Sequence, residues 1–105
     1  MSAVATSCFV FHCSTQTESE CERRRLFGVQ RGAEKELQLH RIQPGSLLLL
    51  YNSMERTLSG VYYATSRLQA DMQPDAWDGQ YPMQVSVRRC PRIRSRLGST
   101  ELRDL

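Results

Sequence analysis

The chain reads as an α+β domain, a small mixed β-barrel of about five strands with one or two short helices. Three observations carry this expectation. Residues 47–52 (Leu47-Leu48-Leu49-Leu50-Tyr51-Asn52) and residues 58–66 are strand-like runs on either side of a polar turn, the pattern of an antiparallel hairpin. Residues 83–89 alternate, with Met83, Val85 and Val87 against Gln84, Ser86 and Arg88, which is the two-residue period of a strand. A chain of 105 residues with 40% hydrophobic and 24% charged residues has the size and composition of one soluble domain with a single core.

The elements follow in chain order. Residues 7–11 (Ser-Cys-Phe-Val-Phe) are β-branched and aromatic and read as a buried strand. Thr17 followed by Glu18 and Glu20 has the composition of a helix start, and Arg23, Arg24 and Arg25 complement the negative end of the helix dipole. A short helix is therefore expected over 17–26, with Gly28 as its stop and Phe27 turning back to the core. Residues 30–35 read as loop, and 36–42 as either a strand or a helical turn. Pro44-Gly45 makes a turn into a central strand over 47–52, expected to be covered on both faces. A loop of about five residues leads to the second hairpin strand, where Gly60 marks a bulge or a close backbone approach. Turn formers Pro74, Asp75, Asp78 and Gly79 surround Trp77. The expected organisation is a flexible N-terminus (1–6), one domain (7–94) and a disordered arginine-rich tail (95–105).

The chemistry-bearing residues exclude more than they assign. Cys8, Cys13, Cys21 and Cys90 lack the C-x2-C spacing that wraps a zinc ion, so they read as free thiols in a reducing compartment. His12 and His40 have no carboxylate or cysteine at catalytic spacing, and Glu18, Glu20 and Glu22 read as a charged helix face. No metal, cofactor or enzymatic activity is expected. No segment reaches the roughly 20 apolar residues of a membrane span and no basic leader precedes an apolar run, so an intracellular site, cytoplasmic or nuclear, is expected. The net charge of +3 is carried almost entirely by arginine, clustered at Arg23–Arg25 and at Arg88, Arg89, Arg92, Arg94 and Arg96. A guanidinium can fork onto phosphate or carboxylate.

Four motifs occur in a characteristic order: Leu26-Phe27-Gly28-Val29; Pro44-Gly45 with Leu48, Leu50, Tyr51 and Asn52; Leu58-x-Gly60-Val61-Tyr62-x-Ala64-x-Ser66; and Trp77 followed by Tyr81-Pro82-Met83-Gln84-Val85. Together they resemble the plant DCD (development and cell death) domain over residues 8–90. Val29-Gln30 stands where the family has Leu-Pro, and Pro91-Arg92-Ile93-Arg94 lacks the Leu and Glu of its closing motif. The chain resembles a divergent member or a C-terminally truncated one. The resemblance implies a non-enzymatic domain that acts through protein interactions in stress response and programmed cell death, with the edge near residues 83–89 as a docking surface. More distantly the succession is similar to PUA-like domains, including EVE and YTH domains, which implies an alternative: RNA or modified-nucleotide binding. In that alternative Phe27 and Trp77 would stack on a base of single-stranded RNA, and Arg23, Arg24, Arg88 and Arg89 would hold phosphates.

Overall fold

The computed structural model describes residues 8–90 and 95–98. Its strands are β1 (Cys8–Cys13), β2 (Leu26–Val29), β3 (Leu47–Asn52), β4 (Thr57–Ala64), β5 (Gln69–Ala70), β6 (Met83–Arg89) and β7 (Ser95–Gly98). Helices α1 (Thr15–Arg24) and α2 (Ala33–Glu36) and two 3-10 turns, Leu39–Arg41 and Ala76–Gly79, complete the chain. The principal sheet runs β1-β3-β4-β6-β2, with β5 beside β6 and β7 beside β4. It is a mixed sheet curled into a half-barrel, because β1 pairs with β3 in parallel and the other pairs are antiparallel. The expected α+β fold, a small mixed β-barrel of about five strands with one or two short helices, is borne out, the five strands of the principal sheet forming a half-barrel.

Curvature has an identifiable source. Leu48 pairs with Tyr62 and Leu50 with Ser59, so an extra residue of β4 is accommodated opposite Leu49. This is the bulge expected at Gly60, where a Cβ would lie 2.5 Å from the Leu49 side chain. Below the bulge β4 pairs with β7, and above it with β6. The segment from Ser95, expected to be disordered on composition, therefore supplies a strand through Gly98. Backbone pairing at an open strand edge needs no apolar side chains. The flexible terminus expected at 1–6 and the remaining tail, 99–105, lie outside the described residues.

Helix α1 begins two residues earlier than its acidic run suggested. Ser14 is the N-cap, its Oγ accepting from the Thr17 N–H at 3.3 Å while the Ser14 N–H donates to Thr17 Oγ1 at 2.9 Å. Thr17 thus acts as the third residue of a reciprocal cap rather than as the cap itself. The helix stops at Arg25, which is left-handed (φ 53°), so Leu26–Val29 is freed to form β2 against β6. The expectation of helix through residue 26 with a stop at Gly28 is corrected accordingly.

The core fills the concave side of the sheet. Phe11, Phe27, Leu48, Leu50, Tyr62 and Val85 are buried there, with the Phe27 ring 5.4 Å from Phe11 and 4.9 Å from Tyr62. β3 is central in the sheet, but it alternates: Leu48, Leu50 and Asn52 are buried, while Leu47, Leu49 and Tyr51 are only half-buried. Its apolar run is thus covered fully on one face, not on both. Residues 36–42 are neither a strand nor one helix; they comprise the end of α2 and a 3-10 turn that buries Leu39.

Candidate functional site

Phe27 and Trp77 were the aromatics expected to stack on a base. Phe27 has no solvent exposure and lies against Phe11 and Tyr62. Trp77 retains 6% exposure. Its ring meets Tyr81 edge-on at 5.7 Å, and a Cβ on Gly28 would come within 2.7 Å of it. Both rings are thus buried, Phe27 among core aromatics and Trp77 against Tyr81.

The Trp77 loop is held in an unusual conformation by several contacts at once. Trp77 and Asp78 both have left-handed backbones (φ 49° and 54°), which costs a non-glycine residue about 1–3 kcal/mol and persists only where the surroundings over-determine it. The Trp77 N–H donates to Glu20 Oε2 at 2.8 Å, and its indole N–H donates to the Thr17 carbonyl at 3.4 Å. Gln84, buried on β6, accepts from the Gln73 N–H at 2.8 Å and donates to the carbonyls of Gln73 (3.2 Å) and Tyr81 (3.1 Å).

Arg24, expected to hold a phosphate, belongs to this brace. It pairs with Glu20 at 2.8 Å and Asp75 at 3.1 Å and donates to Gln73 at 2.7 Å. Hydrogen bonding to Arg24 holds the Asp75 carboxyl below the usual carboxylate range, and the same contact raises the guanidinium. Its Nη1 and Nη2 atoms are engaged with Gln73 and Asp75 within the protein.

Asn52, another of the motif residues, is engaged in the scaffold. Asn52 is fully buried; its Oδ1 accepts from the Met54 and Glu55 N–H groups, both at 3.0 Å, and its Nδ2 donates to Glu18 Oε1 at 2.9 Å. It ties the β3–β4 turn to α1. Pro82 precedes β6, and Tyr51 is a half-buried strand residue whose ring lies 5.4 Å from His12.

A larger concavity lies away from both aromatics. A cavity of about 600 Å³ is walled by the last turn of α1 and by the ends of β4 and β6. Cys21, Glu22 and Arg25 come from the helix side, and Tyr62, Tyr63, Arg88 and Arg89 from the strands. Its floor is a coupled group: Arg89 lies 4.6 Å over the Tyr62 ring, donates to the Tyr62 hydroxyl and pairs with Glu22 at 3.1 Å. Burial pushes the Tyr62 phenol up to about 12, partly opposed by Arg89 and reinforced by Glu22. Burial likewise raises the Cys21 thiol well above its ordinary value, with Cys13 and the nearby glutamates adding to the effect. That thiol stays protonated and is a poor nucleophile or metal ligand.

Arg88 and Arg89 are thus brought together at this cavity, whereas Phe27 and Arg24 do not line it. Arg25, Tyr62 and Tyr63 were missed as site residues. The basic run 23–25 was visible in the sequence, but only the left-handed cap decides that Arg24 braces the loop while Arg25 is turned to the cavity. Trp77 borders a smaller cavity of about 330 Å³ with His12, Thr17, Gly28 and Tyr81. Arg92 and Arg94 lie outside the described residues, as does the segment that would correspond to the family's closing motif. Among the described residues no cluster of His, Cys, Asp and Glu could hold a metal ion, and no helix is long and apolar enough to cross a membrane.

A half-barrel with one helix across its mouth and an open basic concavity defines a small binding fold. Among solved structures it is similar to the YTH domain of mmi1 in complex with RNA, with a TM-score of 0.68 at 13% identity over 92% of this chain and 61% of that one. A crystal structure of the MmI1 YTH domain likewise gives a TM-score of 0.68 at 13% identity, over 92% of this chain and 72% of that one. The fold is PUA-like. The chain belongs to the development and cell death domain family, whose model matches residues 7–97. It is 30% identical over 86 residues to the DCD domain-containing protein NRP-B of Glycine max, and 31% identical over 86 residues to the B2 protein of Daucus carota. The match takes in 75% of this chain but only 26% and 41% of those two proteins.

Proposed function

We propose that this domain is a non-enzymatic adaptor that works by binding other proteins in stress-response or cell-death signalling. The observation that carries the reading is the burial of Phe27 and Trp77: the two rings best suited to hold a base are packed against other side chains. Membership of the development and cell death domain family supports the cellular context. Affinity capture from plant extract, treated with ribonuclease, tests it. Retention of a defined protein partner through the nuclease step is the expected outcome; recovery of nucleic acid alone would count against it.

One observation favours a second reading, single-stranded RNA binding. The fold is shared with a YTH domain solved with RNA. On this chain such binding would rest on phosphate contacts from Arg88 and Arg25 rather than on a stacked base, so affinity would fall steeply with added salt.

A further inference from the structure

The cavity exists because β6 outruns its neighbour. β2 covers one edge of β6 from Met83 to Ser86, and the Val87 N–H donates to the Arg25 carbonyl at 3.0 Å. At Arg25 the chain turns left-handed and departs into α1, so along Arg88 and Arg89 that edge of β6 has no strand beside it among the described residues. β4 covers the opposite edge through Tyr62 and Tyr63. The docking edge expected along residues 83–89 is therefore reduced to its last residues, since β2 and β5 both cover Met83 and Gln84.

The charges at this notch are unequal in their freedom. Arg89 is committed to Glu22 and Tyr62. Arg25 and Arg88 are both exposed, line the cavity and have no ion pair or side-chain hydrogen bond among the described residues. Two free guanidiniums beside an uncovered strand edge suit a ligand carrying carboxylates on an extended backbone. Among the described residues the notch offers a nucleic acid two free cations rather than a charged track.

From this geometry we infer that the notch receives an acidic, extended segment of a protein partner, with Arg25 and Arg88 holding its carboxylates. The inference rests on the protein-binding reading proposed above and names the partner's chemistry. A fluorescent peptide of alternating Glu and Thr, titrated against the full chain and followed by anisotropy, tests it. Binding should weaken at least about tenfold in Arg88→Glu and again in Arg25→Glu, since each change removes a charge-assisted contact and sets a carboxylate against the ligand's own. Arg31→Glu, which alters a separate pair with Asp71, should bind as the wild type does.

Thermal melts establish that each variant is folded, and Arg88→Glu, at an exposed strand end, stands alone should Arg25→Glu disturb the helix cap. Unchanged peptide affinity in a folded Arg88→Glu variant would overturn the inference. So would no peptide binding alongside tight, Arg88-dependent binding of polyuridine RNA. Capture of the same protein partner by wild type and both variants would sink the notch while leaving the adaptor reading standing; capture of nucleic acid alone would remove both.

Discussion

Glu18, Glu20 and Glu22 stand on one short helix, yet their carboxylates have three different jobs. Glu18 is buried and accepts from Asn52 Nδ2 and from the Ser59 hydroxyl at 3.2 Å. Glu20 holds the Trp77 N–H, and Glu22 holds Arg89. Composition marked them as a charged face, because residues alone do not show that a helix lies across a half-barrel mouth. The glycines were more legible, and their difference can be tested. A Cβ at Gly28 meets a tryptophan ring at 2.7 Å and the Tyr81 carbonyl oxygen at 2.9 Å, whereas at Gly60 its one contact closer than 3.8 Å is the end of the flexible Leu49 side chain, at 2.5 Å. Gly28→Ala is expected to destabilise by about 1–3 kcal/mol in denaturant melts. Gly60→Ala should cost less, because a leucine rotamer can yield where a backbone carbonyl cannot.

At the scale of elements, β6 and the hairpin were readable and β2 was not. The bounds of β6 follow from strict alternation, and those of β3 from an apolar run closed by a turn. β2 has only four residues and follows a helix that ends at an arginine, where no glycine announces the stop. β7 is hidden for a related reason, since its pairing depends on the free edge below the β4 bulge. The motif glutamine acts as an element clamp. Gln84→Leu preserves bulk on β6 but leaves Gln73 and Tyr81 backbone groups unsatisfied, so a loss of about 2–4 kcal/mol is expected. Hydrogen exchange should then rise in residues 73–81 before it rises in β3 or β4, and equal protection in all three would contradict this clamp.

For the whole molecule, the coupled floor of the notch links the core to pH. The Tyr62 phenol sits near 10 when unfolded and is pushed up to about 12 by burial in the fold. A raised value means that the folded state holds its proton more tightly. The associated stability is fully present below pH 10 and is lost as pH rises through about 12. Unfolding free energy should therefore decline across that alkaline window, and Tyr62→Phe should flatten the decline by at most about 2 kcal/mol. Cys21 contributes in the same direction, beginning near its ordinary 9.0. The family and the half-barrel were recoverable from four ordered motifs because those residues build the scaffold: Asn52, Gly60, Gln84 and Gly28 all serve packing or backbone clamps. The candidate site was only half legible, because Arg88 and Arg89 are consecutive in sequence while Arg25 and Tyr63 join them only through the αL cap and the sheet register.

The burial of the sole tryptophan bears most directly on which surface binds. Its fluorescence can be followed while single-stranded RNA is titrated into the folded domain, with acrylamide as an independent probe of access. A blue-shifted emission, weak quenching by acrylamide and no change on adding RNA are expected of a ring packed against Gly28 and Tyr81. Strong saturable quenching by RNA, abolished in a folded Trp77→Phe variant, would show a base stacking on Trp77 and contradict the core assignment.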